Sequence, residues 1–343
     1  MKLGLTIGGP LTSLGELARR AERAGFESVW CAETARTAFV QCAVAAVATS
    51  AVKVGTNIAL AFPRSPAITA MNARDLAELS GGRFILGLGT QVKRVMERRF
   101  SVPFEHPAAK VAEAIDAIHA VLRAFGGEQP RHEGRFYSIT MPPFPGAGPP
   151  PEPVPIHLAA VNERMAETAG RCADGVLGHP LTSPRYLRDV LRPAVERGAA
   201  AAGRSAPDVE VTTSVIVQLS RDRDQARREA AAQIGFYATT RTYRPVLAVH
   251  GFEGRVEALR RAFATGDTEA MVRIALPMVD TFAIAGTPDE ARERLAGFSG
   301  LADRLILGSA WVGPSDERMR ENAEMMLESL GPGPGAPLRT PRQ

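Results

Sequence analysis

The chain has 343 residues, 45% hydrophobic and 23% charged, a soluble balance with enough length to bury a full core. No apolar run approaches the ~18 residues of a membrane span. Three cysteines without paired spacing (Cys31, Cys42, Cys172) argue against a disulfide framework or a zinc site, so a reducing cytoplasm is the expected compartment. The net charge of +4 is scattered among acids with few interleaved aromatics, which argues against nucleic acid and suits a small anionic ligand.

Residues 2–7 read as a strand, so near the N-terminus that no signal peptide is expected. Ser13, with Glu16 three residues on, reads as the cap of a helix over 14–24 that Gly25 stops. A strand over 28–32 leads to Glu33-Thr34, then a helix over 39–49.

The stretch 52–91 organises the rest. Val52, Val54, Ile58 and Leu60 make an apolar strand with a polar break at Thr56-Asn57. Pro66 opens a helix over 67–79, Gly81-Gly82 ends it, and 84–88 is a second apolar strand running into Gly87-x-Gly89-Thr90. Strands apolar on both faces, joined by such a helix, imply parallel pairing in an α/β protein. The glycines at the strand's exit would let a ligand approach the backbone closely. Asn57 and that exit lie where parallel α/β folds place their sites.

A basic segment, 93–99, leads to a helix over 107–125. Residues 128–155 break the rhythm with a short strand over 135–140 and then MPPFPGAGPPPEPVP, read as an ordered loop across a barrel mouth or a flexible linker. Strands over 156–160 and 175–178 alternate with helices over 162–172 and 184–202. A β-branched strand over 209–219 precedes a helix over 222–237, and 240–268 reads as an insertion, helical in its second half. Thr287-Pro288 opens a helix over 288–298, followed by a strand over 303–309 and a closing helix over 315–330. The tail, 331–343, lacks apolar periodicity and is expected to be disordered. Eight strands alternating with helices predict an α/β fold, a (β/α)8 TIM barrel with insertions, forming one domain over 1–330; a doubly wound sheet is the alternative.

The pieces AGFESVWCAET, VKVGTNIALAFPRSPAITA, LAELSGGRFILGLGTQ, VPIHLAAVNERMAETAGRCADGVLGH and FAIAGTPDEARERLAGF run in order through nearly the whole chain. They resemble the luciferase-like monooxygenase superfamily, and most of all its branch of coenzyme F420 (deazaflavin)-dependent oxidoreductases. The resemblance implies a barrel whose C-terminal mouth holds a flavin-like ring, with a non-proline cis peptide at Asn57-Ile58 behind the ring and Leu60 beside it. Without it, Asn57 reads as a turn or edge residue. Phosphate binding has two candidate places. One is Gly89, Thr90 and Gln91, otherwise a tight barrel loop; the other is the helix start at Ala160, Val161 and Asn162 with Arg164 and Met165, where Arg164 reads equally as a solvated surface residue.

Two departures bear on the chemistry. Many F420 relatives have an acidic residue followed by histidine after the second strand, where this chain has Glu33-Thr34. The sugar-phosphate dehydrogenases place a glutamate where Val92 stands here. Glu33 reads as a general acid, a hydrogen-bond partner of the ring, or the ion-pair partner of an arginine such as Arg36. His179 shapes the substrate pocket, contacts a phosphate, or is structural; His157 reads as structural. His106, His119, His132 and His250 form no metal-ligand spacing, so no metal is expected. The implied activity is F420-dependent reduction of an activated C=C or C=N bond, with Glu33, Thr34 or a water as proton source and Asn57 against the ring. The alternatives are an FMN-dependent monooxygenase of the same superfamily and a non-catalytic binding barrel. Relatives are often dimers, which makes a homodimer the expected assembly.

Overall fold

The computed structural model describes residues 1–143 and 145–333. Apolar strands buried on both faces can satisfy their backbone only by pairing, and a ring of parallel strands leaves no open edge. The strands are β1 (Lys2–Ile7), β2 (Ser28–Cys31), β3 (Lys53–Thr56), β4 (Ala59–Leu60), β5 (Phe84–Gly89), β6 (His132–Glu133), β7 (Ser138–Ile139), β8 (Ile156–Ala160), β9 (Gly175–Gly178), β10 (Glu210–Leu219), β11 (Ala283–Gly286) and β12 (Arg304–Gly308). The barrel runs β1-β2-β3-β5-β8-β9-β10-β12, every pairing is parallel, and β12 pairs with β1 to close it. This is an eight-stranded parallel TIM barrel, and its eight strands are those read from the sequence.

Several boundaries differ. The first helix is Leu11–Arg23, capped by Pro10; Ser13 lies inside it and donates to Pro10 O, while Glu16 binds Arg19 and Arg23 instead of closing a capping box. The basic segment is itself a helix, Lys93–Arg99. The helix expected over 184–202 is continuous from Pro184 to Ala201, widened to a π-helical stretch at Leu187–Leu191. The strand expected over 135–140 is half of a small antiparallel hairpin, β6–β7.

No strand was expected at β11. It pairs with the upper half of β10, from Ile216↔Ala283 to Leu219↔Gly286, above the level at which β10 meets β12. The chain between β10 and β11 is helical nearly throughout, from Arg223–Ala238 to Val279–Phe282, so the residues around 240–268 are the middle of a longer excursion. Of the tail, 331–333 is described and packs on the first helix's end, Gly333 N donating to Ala24 O at 3.0 Å; 334–343 lie outside the described residues. Among the described residues no helix is long and apolar enough to cross a membrane.

The barrel interior is filled by Trp30, Ile85, Leu177 and Ile306, a cluster separate from the larger core between strands and helices. Trp30 fits because β3 carries Gly55, where a Cβ would stand 2.5 Å from the indole. At the base, Arg304 is fully buried. Its Nε donates to Glu210 at 2.9 Å and its Nη1 to Ser28 Oγ at 3.0 Å, which compensates the buried charge. His157 lies beside this group, 6.3 Å from Trp30, and burial pushes its pKa down to about 4.

Candidate functional site

The C-terminal end of the barrel is shaped by the break between β3 and β4. The Asn57–Ile58 peptide bond there is cis. Asn57 N donates to Cys31 O at 2.8 Å, Ile58 O accepts from Glu33 N at 3.2 Å, and β4 then rejoins the sheet with Leu60 opposite Gly89. The Asn57 side chain is no edge residue: its Nδ2 donates across the barrel to Ser214 Oγ on β10, at 2.8 Å.

Glu33 holds this bulge from behind. One carboxylate oxygen accepts from Leu60 N at 2.8 Å and from Arg64 Nη1 at 2.9 Å, and the other pairs with Arg64 Nη2. The Glu33 side chain is only 6% exposed, and the guanidinium stacks over Phe39 at 5.1 Å. Both carboxylate oxygens are thus engaged, by a cation and by a backbone N–H. Of the readings open for Glu33, the ion pair is the one the structure forms, clamping the bulge, and its partner is Arg64, not Arg36. Thr34 is exposed, its N–H donating to Arg36 O at 3.3 Å.

The glycines of β5 are not open to a ligand in the way the sequence suggested. A Cβ at Gly87 would stand 1.9 Å from Thr56 O, and one at Gly89 1.9 Å from Ile58 Cδ1, so the bulge itself fills both places. Beyond them, the Thr90 hydroxyl makes only a long bond, 3.4 Å, to Gln91 O. Gln91 takes a positive φ of 57° and its Oε1 accepts from Val92 N at 3.0 Å, closing the turn into Lys93–Arg99.

At the second phosphate candidate, β8 ends at Ala160 and Asn162 caps the helix Glu163–Cys172, its Oδ1 accepting from Met165 N at 3.2 Å. Val161 O accepts from Tyr186 Oη at 2.8 Å, and Met165 packs on the core. Arg164 turns away from the mouth. It lines a groove of about 470 Å³ in the outer helical layer with Ala108, Thr168, Arg171 and Arg197. The helix start and Arg164 therefore do not converge on one ligand, because the first turn of that helix sends the side chain outward.

His179, at the end of β9, is wrapped by tyrosines that sequence reasoning missed. Its ring stacks on Tyr243 at 4.2 Å and meets the edge of Tyr237 at 4.6 Å. Burial pushes its pKa down to about 3. Nδ1 accepts from Leu181 N at 3.2 Å, so the neutral ring carries its proton on Nε2. Arg64, Ser214, Tyr237 and Tyr243 carried no local signal, since each meets its partner across long stretches of chain. Among the described residues no group of acids, histidines or cysteines is arranged to hold a metal.

With this geometry in hand, comparison with known proteins gives consistent results. The family model for the luciferase-like monooxygenases matches residues 3–305. A protein of Mycobacterium tuberculosis, described as uncharacterized, is 39% identical over 314 residues, covering 89% of this chain and 92% of its own. The 5,10-methylenetetrahydromethanopterin reductase of Methanolobus tindarius is 30% identical over 321 residues, covering 90% and 93%. Among solved structures, the coenzyme F420 dependent tetrahydromethanopterin reductase of Methanopyrus kandleri superimposes with a TM-score of 0.79, at 24% identity over 96% and 97% of the two chains.

Proposed function

The chain belongs to the luciferase-like monooxygenase family, and from that premise we propose that it is a coenzyme F420-dependent oxidoreductase reducing an activated C=C or C=N bond of a small organic substrate. The observation that carries the reading is the 30% identity, across nine-tenths of both chains, with a reductase acting on a methylene derivative of a pterin. The residues at the mouth fit a planar ring with a phosphate tail. The bulge presents backbone and the Ile58 side chain rather than charge, and Thr90 keeps a hydroxyl with one long bond at a loop followed by Lys93 and Arg94.

When bound, the deazaflavin supplies hydride transfer at its C5. The chain's own residues do the positioning. Asn57 and Ile58 back the ring, with Leu60 continuing that wall. Glu33 and Arg64 hold the bulge in register with β5, and Thr90, Gln91 and the capped helix start at Ala160-Val161-Asn162 receive the phosphate. Arg164 has no part in this, because it faces the outer groove. Thr34, exposed at the end of β2, or a water beside it, passes the proton to the substrate. Reduction is favoured over alcohol oxidation because Thr34 and Val92 stand where relatives keep a histidine and a glutamate.

The test is titration of F420 and FMN at several salt concentrations, then turnover of reduced F420 with conjugated enones and imines and of F420 with secondary alcohols. Tight, salt-sensitive F420 binding with consumption of enone or imine is expected. Steady alcohol oxidation would reverse the direction. FMN preference with oxygen uptake would move the protein to the monooxygenases, several of which share its fold, among them a long-chain alkane monooxygenase with a TM-score of 0.67.

The surface supports a homodimer. Of the eight large apolar side chains exposed among the described residues, five lie on two neighbouring helices: Val40 and Val47 on Ala38–Ala48, and Ile68, Met71 and Leu79 on Pro66–Ser80. Such a face gains by covering itself with a second copy. Sedimentation of the wild type as a dimer, and of Val47→Glu as a monomer, checks this.

A further inference from the structure

Six side chains from four segments meet at the barrel's C-terminal end around His179. Tyr237 and Phe236 close the helix Arg223–Ala238, Tyr243 follows it, and Trp311 stands just after β12. Besides the contacts to His179, Tyr237 lies 6.0 Å from Tyr243, and Phe236 meets Trp311 edge-on at 5.2 Å. The sixth, Gln233, is only 1% exposed. Its Oε1 accepts from Trp311 N at 2.9 Å and Val312 N at 3.0 Å, which settles which end of the amide is oxygen. The Nε2 end is therefore a buried N–H donor that makes no well-formed hydrogen bond among the described residues, its one polar neighbour being the Tyr237 hydroxyl, which it meets only loosely. Next to it the Tyr237 hydroxyl accepts a long bond, 3.4 Å, from Trp311 Nε1.

The cluster carries no charge at neutral pH. Burial keeps His179 deprotonated and raises both tyrosines above their ordinary range. Trp311, by contrast, leaves 54% of its surface uncovered. Aromatic faces beside a few fixed donors are what a pocket for a flat organic molecule needs. An anion buried there would lose its hydration, and none of the six side chains carries a positive charge to offset that.

We propose that this cluster is the substrate subsite, and that it takes a planar, uncharged, conjugated compound whose carbonyl or ring nitrogen accepts the Gln233 Nε2–H while its face lies on Trp311. The assignment rests on the oxidoreductase reading above, in which the bond to be reduced is conjugated. Gln233 is the specificity-determining residue, because its donor distinguishes an acceptor-bearing ring from a bare hydrocarbon.

Two compounds of one shape test it: trans-cinnamamide, neutral, and trans-cinnamate, its anionic counterpart. Trp30 and Trp311 are the only tryptophans, and Trp30 is fully buried, so fluorescence quenching that disappears in Trp311→Phe reports this subsite. Titrations are run on the full chain, with and without saturating F420, whose own binding is followed by its absorbance. Cinnamamide is expected to bind about tenfold or more tightly than cinnamate. Gln233→Glu keeps the acceptor for Trp311 and Val312 while removing the donor, and Tyr243→Ala opens the stack on His179. Each should weaken cinnamamide about tenfold, with circular dichroism unchanged. Equal or tighter binding of cinnamate, full affinity in both variants, or no quenching by either compound would overturn the proposal. F420 failing to bind while cinnamamide still binds sinks the cofactor reading and leaves the subsite standing.

Discussion

Acidification should unfold this protein through the base of its barrel, and His157 is where the effect can be isolated. Its ring is 2% exposed, its Nδ1 has no partner among the described residues, and burial lowers its pKa from the ordinary 6.5 to about 4, against the opposing pull of Glu210. The folded value lies below the unfolded one, so between pH 4 and 6.5 the unfolded chain binds more protons. Stability is fully present above about pH 6.5 and is lost as pH falls towards 4. At about 1.4 kcal/mol per pKa unit, the 2.5-unit gap gives a full loss of about 3.4 kcal/mol, of which about 2 kcal/mol is gone at pH 5. Urea unfolding of the wild type and of His157→Gln at pH 7.5 and pH 5.0 measures this. His179 titrates alike in both proteins, so the difference of differences belongs to His157. It should be about 2 kcal/mol, with the variant less sensitive to acid. Identical pH dependence in the two proteins would refute the reasoning.

Arg64→Ala leaves the Glu33 carboxylate, 6% exposed, without its cation, and should cost about 3 kcal/mol in urea unfolding and weaken F420 binding; unchanged stability and affinity would show that the clamp holds nothing. Gly89→Ala pushes a methyl into Ile58 Cδ1, which should cost about 1–3 kcal/mol and displace the bulge, read as a lower melting temperature together with weaker F420 binding. Thr90→Ala should leave stability within about 0.5 kcal/mol while weakening F420 binding about tenfold at every salt concentration, since a neutral hydroxyl is not screened, and unchanged affinity would move the phosphate elsewhere.

The barrel was legible because its signals are local. Each barrel strand is an apolar run flanked by a helix period and a turn residue, and those features survive in the sequence whatever lies across the sheet. The break at Asn57-Ile58 was legible for the same reason, a polar interruption in an apolar strand that also matches a family pattern. β11 was not: four residues between a short helix and the Thr287-Pro288 helix start carry too little pattern, and only the overhang of β10 gives them a partner.

The site divides differently. Which residues stand near the mouth follows from their positions at strand ends, and so was in the sequence: Glu33, Asn57, Thr90, Asn162 and His179. What each does depends on partners that the chain order does not reveal. Glu33 clamps the bulge because Arg64, 31 residues on, reaches both its oxygens. Asn57 turns inward to Ser214, 157 residues away. Gly87 and Gly89 accommodate the bulge rather than a ligand, and Arg164 leaves the mouth because of the direction its helical turn imposes. The sequence by itself determined the fold and where the candidate site residues stand on it, since periodicity and turn chemistry act over a few residues. Charge state, hydrogen-bond partners and direction are set by packing between distant segments, and those the tertiary structure alone decided.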